Sequence, residues 1–282
     1  MNSNFKYSWE EAVQWLRNQP EKQELVQHCY YDDPLESAAE RFSQSEEWTA
    51  LIQLLKPKIP GKVLDIGAGR GISSYAFTKA GCSVTALEPD SSDLVGADAI
   101  HRLSKNTDLS IQVVQDWGET LPFTDNCFDI VYGRAVLHHA KDLKQLCKEA
   151  ARVLKPGGYF IATREHIISR KEDLQQFLDS HPLHHLYGGE NAYLLEEYKD
   201  AISSAELQII RSFAPLESVI NYAPMSQAEY QNLVKSSLSK FCGVTLGTKL
   251  SEFNILQDFY GWYVSQKLNS PGRLYSFLAV KR

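Results

Sequence analysis

The sequence predicts an α/β fold, a doubly wound, mostly parallel seven-stranded sheet with helices on both faces. Three observations carry this. Short apolar runs alternate with amphipathic stretches between residues 62 and 163, the rhythm of strands and crossover helices. Those runs are apolar almost throughout, as strands covered on both faces are. The first of them, Lys62–Ile66, leads straight into Gly67, Gly69 and Gly71 and then a helical stretch. Strand, glycine turn, helix is an arrangement that brings bare backbone close to a ligand beneath a helix N-terminus.

Ahead of the sheet the pattern is helical. Ser8 is placed to cap a helix carrying Trp9, Ala12, Val13 and Leu16, ending near Pro20. Further helices are expected over 23–31, broken by Tyr30-Tyr31-Asp32-Asp33-Pro34, and over 35–55, where Ala38, Phe42, Trp48, Leu51, Leu54 and Leu55 recur near helical spacing. Residues 1–60 are therefore expected to form a helical lid on a main domain of residues 61–282. The lid's aromatics have two compatible readings: burial against the main domain, or a cover from which Tyr30, Tyr31 or Arg41 reaches a ligand.

Strand one is 62–66, and the helix 73–80 stops at Gly81. Strand two, 83–87, runs into Glu88-Pro89-Asp90, and a helix is expected over 92–103. Strand three, 110–114, leads to Asp116-Trp117; strand four, 128–132, leads to Gly133-Arg134. The stretch 143–154 sets Leu143, Leu146, Cys147, Ala150, Val153 and Leu154 on one helical face and halts at Pro156-Gly157-Gly158. Strand five is 159–163. The alternation then lapses into an insertion over about 166–205, a strand at 207–213, a largely helical insertion over about 215–271 and a last strand at 275–280. The aromatic segment 253–264, Trp262 included, is expected in the core. Ligands of such sheets sit beyond the carboxyl ends of the strands. The polar residues there are Asp65, Glu88, Asp116, Arg134, His138, Arg164 and His166.

Composition narrows the function. Apolar residues make up 43% of 282, enough for a substantial core. A net charge of -6 offers no broad basic footprint, so no nucleic-acid partner is expected. No apolar run is long enough to cross a bilayer, and the polar start lacks the apolar core of a secretory signal, so a cytoplasmic protein without a membrane partner is expected. The five cysteines form no C-x-x-C pair, which implies neither a disulfide framework nor a zinc cluster.

The glycine turn reads D-x-G-x-G-x-G; a nicotinamide-type fingerprint would need its third glycine at Ile72. Glu88 follows the turn by about 20 residues, where a carboxylate accepts both hydrogen bonds of a ribose diol. Asp116 and Trp117 are suited to an adenine amino group and ring face. Together V-L-D-I-G-A-G-R-G, A-L-E-P, Q-D-W-G-E-T-L-P-F-T-D-N-C-F-D-I-V, A-V-L-H-H-A and R-V-L-K-P-G-G-Y-F resemble a class I S-adenosylmethionine-dependent methyltransferase over residues 62–163. The resemblance implies S-adenosylmethionine as cofactor, with Asp65, Gly67, Ala68 and Gly69 at its methionine part. It further implies Glu88 and Pro89 at the ribose, Asp116 and Trp117 at adenine, and Arg134 near the sulfonium. Arg41 resembles an upstream position that grips the cofactor's carboxylate, and a reversed final hairpin is implied.

Methyl transfer is an in-line displacement, for which positioning supplies roughly 7–11 kcal/mol. A hydroxyl nucleophile also gains from a general base, most often histidine. His166, His139 and His138 are the catalytic candidates. In H-P-L-H-H-L-Y-G-G-E-N, His185, Tyr187 and Glu190 are expected to bind substrate. No carboxylate completes an obvious ligand spacing there, so no metal is expected. The expected function is methylation of a small-molecule acceptor, first a hydroxyl of a sugar or secondary metabolite. N-methylation of a small amine or peptide is the alternative, and a non-catalytic cofactor-binding protein is the alternative of another class. The oligomeric state is not encoded in any pattern found.

Overall fold

A computed structural model describes residues 6–282; most of the polar opening stretch, residues 1–5, lies outside the described residues. The strands are β1 (Lys62–Ile66), β2 (Ser83–Leu87), β3 (Ile111–Val114), β4 (Phe128–Arg134), β5 (Leu154–Ile168), β6 (Tyr193–Leu194), β7 (Leu207–Phe213) and β8 (Arg273–Lys281). They form one sheet in the order β3-β2-β1-β4-β5-β8-β7. The first five are parallel, and β8 runs antiparallel to both β5 and β7. The sheet is thus mostly parallel with a reversed strand near one edge. The two-residue β6 was not anticipated; it pairs parallel with the far end of β5.

Period-two alternation explains the double cover. Leu64, Val131 and Phe160 point to one face, where they pack with Leu146 and Ala150 of α7 (Leu143–Val153) and Ala201 and Ile202 of α10 (Leu195–Ser204). Their neighbours Val63, Ile130 and Ile161 point to the other. There they meet Phe42 of α3 (Leu35–Ser43), Leu51 of α4 (Glu46–Leu55), Phe77 of α5 (Ile72–Lys79) and Ile100 of α6 (Ala97–Thr107). Helices α1 (Trp9–Arg17) and α2 (Gln23–His28) lie farther out, with Ala12, Val13, Leu16 and Val26 buried against Val95, Leu183 and Leu186.

Several boundaries differ from expectation, each for a local reason. The stretch read as one helix over 35–55 is two, because Ser45 breaks it and caps α4 by accepting the Trp48 N–H at 3.0 Å. The helix expected to 31 ends at His28, and Tyr30 then takes a left-handed φ of 59°. The helix expected from 92 begins at Ala97, because residues 90–97 fold into a turn in which the Asp90 carbonyl accepts the Ala97 N–H. Strand β5 runs well past Thr163. A register shift against β8 between Ala162 and Glu165, with Arg164 at φ 61°, bends it and carries Glu165 and His166 into the sheet.

The insertions are α8 (Asp173–Ser180), α9 (His184–Tyr187) and α10 in the first, and α11 (Val219–Tyr222), α12 (Gln227–Cys242), α13 (Val244–Ser251) and α14 (Asn254–Lys267) in the second. The aromatic segment of α14 is not core: Phe259 is 58% and Trp262 48% exposed. Among the described residues, no helix is long and apolar enough to cross a membrane.

Candidate cofactor and acceptor site

At the carboxyl end of β1, Gly67, Gly69 and Gly71 all take left-handed φ values, 61°, 55° and 82°. The constraint differs along the turn. A Cβ on Gly67 would lie 2.8 Å from a Val136 methyl, whereas one on Gly69 would meet only the Val95 carbonyl at 3.9 Å. Gly67 is sealed by protein, and the Gly69 face is open to a ligand. Ala68 is buried and donates its N–H to the Leu87 carbonyl, tying the turn to β2.

Two acids flank the turn. Glu88 is 7% exposed, and its two oxygens accept the N–H groups of Gly69 (2.7 Å) and Asp90 (2.9 Å). A carboxylate has about four acceptor positions, so one lone pair remains on each oxygen. Asp65 is buried beneath the turn and accepts the Ser74 hydroxyl at 2.6 Å. Burial pushes both acids up to about 7; the Glu88 charge adds to the rise at Asp65, while the Ser74 bond opposes it. Pro89 is half-buried beside Glu88. Beyond β3, Asp116 accepts the N–H of Trp117, whose ring is 57% exposed with the Lys141 ammonium 4.9 Å from its centre.

The arginines are spoken for. Arg134 holds the buried Glu47 of α4 with two hydrogen bonds of 2.7 and 3.0 Å, a fork that fixes the lid to the end of β4. Arg41 makes its contacts within residues 1–60. Its guanidinium grips Asp32 at 2.6 and 2.9 Å and the Gln27 carbonyl at 3.1 Å, and it borders a surface groove with Glu36, Glu40 and Tyr75. Arg164 donates to the carbonyls of Ile220 and Ala223, both at 3.0 Å, and so anchors the second insertion to β5.

Beyond β4 and β5 the histidines gather. His138 is buried with Nδ1 2.8 Å from Glu165 and Nε2 3.6 Å from Glu190. Its ring lies 4.1 Å from that of His139 and 4.7 Å from that of His166, centre to centre. Burial opposes a charge on His138, but Glu165 and Glu190 outweigh it and raise the ring to about 9. His166 bonds the Gly272 carbonyl through Nδ1 at 2.9 Å; burial and then the His138 charge lower it to about 3. His139 is exposed and bonds the Gly189 carbonyl through Nδ1 at 2.9 Å. An Nδ1 that donates to a carbonyl leaves the neutral ring's lone pair on Nε2.

Of the first insertion, Glu190 reaches the cluster and Tyr187 donates its hydroxyl to Glu190. Burial opposes ionisation of Glu190, but the surrounding histidines hold it well below the usual carboxylate range. His185 does not join: it is exposed and meets Trp15 of α1 edge-on at 6.1 Å. Reasoning from sequence missed Glu165, which is fully buried and accepts the N–H groups of Val136, Leu137 and His138, each at 3.1 Å. A lone acid inside the apolar run F-I-A-T-R-E-H-I-I was the available signal. Glu47 gave none, since it reads as an ordinary first-turn acid of a helix.

The reversed strand β8 near one edge, the open glycine turn and the buried acid at the next strand end are arranged as in a class I S-adenosylmethionine-dependent methyltransferase domain. The comparisons agree: residues 64–162 match the family model of the methyltransferase domain. Among curated proteins, the uncharacterized methyltransferase YcgJ of Bacillus subtilis is 29% identical over 146 residues, 49% of this chain and 53% of that one. The sarcosine/dimethylglycine N-methyltransferase of Halorhodospira halochloris is 34% identical over 137 residues, 48% of this chain and 47% of that one. The chain thus spans about half the length of these relatives. A geranyl diphosphate methyltransferase, solved with geranyl diphosphate and sinefungin, shares the fold at a TM-score of 0.59 and 16% identity, over 96% of this chain and 98% of that one. S-adenosylmethionine is the cofactor of this class. The open Gly69 face and the two spare lone pairs of Glu88 suit a ligand that carries a diol.

Proposed function

We propose that the protein transfers a methyl group from S-adenosylmethionine to a small-molecule acceptor, first a hydroxyl of a sugar or secondary metabolite. The observation that carries this is Glu88 beside the open Gly69 turn, with one free lone pair on each carboxylate oxygen. In this reading Glu88 and Pro89 hold the ribose, Asp116 and Trp117 border adenine, and Gly67 to Gly69 offer backbone to the methionine part. Asp65 stiffens the turn from below through Ser74. The cofactor supplies a carbon made electrophilic by a positive sulfur. What the chain adds is position and a dry site, worth roughly 7–11 kcal/mol.

Residues 1–60 act as a lid and the insertions over 166–205 and 215–271 as caps, so the acceptor is enclosed. His139, in the turn after β4, and His166, at the bent end of β5, each offer an Nε2 lone pair, and His166 receives the hydroxyl proton. The low value of His166 keeps that lone pair free at working pH but makes it the weaker base. A small amine is the second reading; the buried carboxylate Glu190 favours it, because it suits a cationic acceptor. The test is incubation with S-adenosylmethionine and a panel of hydroxylic and amine small molecules, followed by mass spectrometry. S-adenosylhomocysteine and a methyl ether are expected. Tight cofactor binding with no product from any acceptor would overturn the enzymatic reading in favour of a binding protein.

A further inference from the structure

We propose that His138, His139 and Glu190 form a binding site for one divalent transition-metal ion of the zinc class. No sequence spacing announces it, because the ligands come from the turn after β4 and from the first insertion. One ligand atom from each of His138, His139 and Glu190 lies within 4.8 Å of the others, and His166, His181 and Glu190 satisfy the same limit.

The outer contacts point to an ion rather than to a hydrogen-bonded cluster. Three rings present the same arrangement. His138 directs Nδ1 at the Glu165 carboxylate (2.8 Å), His139 at the Gly189 carbonyl (2.9 Å) and His166 at the Gly272 carbonyl (2.9 Å). An oxygen acceptor on Nδ1 is the usual outer partner of a metal-bound histidine, because it fixes the tautomer and aims Nε2 at the ion. Glu165 is itself held by three backbone N–H groups, so the carboxylate–histidine pair is rigid.

Glu190 is oriented in the same way. Its Oε1 accepts the Tyr187 hydroxyl and lies 3.6 Å from His181 Nε2, which leaves Oε2 turned to His138. His138 Nε2 stands 3.6 Å from that oxygen. This is beyond hydrogen-bond range, about 2.7–3.2 Å. It is near the separation of about 3.3 Å between neighbouring ligand atoms of a tetrahedral ion with bonds of about 2.0–2.1 Å. His181 accepts the Leu183 N–H on Nδ1 at 3.4 Å, which places the ring proton on the Nε2 that faces Glu190. An imidazole-rich set with one carboxylate selects zinc, cobalt or nickel over calcium or magnesium. Resting on the methyltransferase reading, such an ion lies beyond β4 and β5, where it would take an oxygen of the acceptor.

The test uses the full chain stripped with chelator and titrated with Zn²⁺ and Co²⁺ by calorimetry and visible absorption. One ion per chain is expected, with the absorption bands of four-coordinate Co²⁺ appearing in step. Glu190→Gln and, separately, the exposed His139→Ala should each weaken binding at least 100-fold while circular dichroism shows the fold intact. Binding that survives both substitutions, or no stoichiometric binding to the intact chain, overturns the proposal. S-adenosylmethionine affinity of the stripped chain is measured in parallel, so failure of the ion site and failure of the methyltransferase reading give different results.

Discussion

The two halves of the sheet's carboxyl edge are built from different materials. Beyond β1 and β2 the walls are backbone: three glycines in left-handed conformations, and a carboxylate that accepts main-chain N–H groups at two points. Beyond β4 and β5 the walls are side chains, four histidines and two acids from well-separated segments. The acids show the contrast most directly. Glu88 sits where burial raises its proton affinity, so its ionised form is costly until a ligand donates to it. Glu165 is equally buried, yet three N–H groups and His138 hold it below the usual carboxylate range. One carboxylate is arranged for a ligand, and the other for the protein itself.

Removing each acid should therefore break different things. Glu165→Ala leaves a buried histidine and three N–H groups without their acceptor, so a loss of about 3–5 kcal/mol in urea unfolding is expected. A loss under about 1 kcal/mol would mean that Glu165 does not organise the histidine side. Glu88→Ala should act the other way round. Two charge-assisted hydrogen bonds to a diol are worth about 1.5–3 kcal/mol each, so S-adenosylmethionine affinity measured by calorimetry should fall about 100-fold or more. Its stability at pH 8 should not fall, because the folded-state proton affinity of Glu88 is raised. Such a group favours the fold at low pH, and that contribution is lost as pH rises from about 4.5 to about 7. The same sign governs binding: a diol donates to the ionised carboxylate, so cofactor affinity should rise roughly tenfold between pH 6 and pH 8. Glu88→Gln should flatten that profile; an unchanged slope would assign it to another group.

This contrast also explains what was legible beforehand. A wall made of backbone has to be written contiguously, because left-handed φ values need glycine at particular positions, and the next strand's end falls a fixed crossover away. The glycine turn and Glu88 were therefore readable from spacing, as was the mostly parallel sheet. A wall made of side chains leaves no such trace. Glu190 and His138 meet only because β5 bends at Arg164 and α8 and α9 fold back over it, and neither the bend nor the path has a spacing rule. Glu47 was invisible for the same reason, since its partner Arg134 lies on another element. Trp262 was misread because apolarity predicts burial only where a neighbouring element exists to bury it.

Within the glycine turn, the comparison can be narrowed to two residues. Gly67→Ala and Gly69→Ala each impose a left-handed alanine, costing roughly 1–2 kcal/mol. Only at Gly67 does the methyl also strike Val136, at 2.8 Å, which adds about 1–3 kcal/mol of overpacking. Thermal unfolding should accordingly show Gly67→Ala as the less stable variant. Cofactor titration should show the larger affinity loss relative to stability at Gly69→Ala, whose methyl projects into the open face. Equal losses in both measurements would mean that the turn works as one rigid unit rather than a sealed side and an open one.

The smallest effect expected is at Arg41, and it separates an inherited expectation from the observed geometry. The resemblance set this side chain on the cofactor's carboxylate; in the structure it is exposed and ties Asp32 and the Gln27 carbonyl together. An exposed ion pair is worth about 0–1 kcal/mol. Arg41→Ala should then lower stability by no more than that and leave S-adenosylmethionine affinity within about twofold, since neither wall of the site loses a contact. A tenfold or greater loss of affinity without loss of stability would mean that Asp32 releases Arg41 when the cofactor arrives. The lid would then belong to the backbone-built half of the edge as a moving part, adding a cationic side chain to the carboxylate of Glu88.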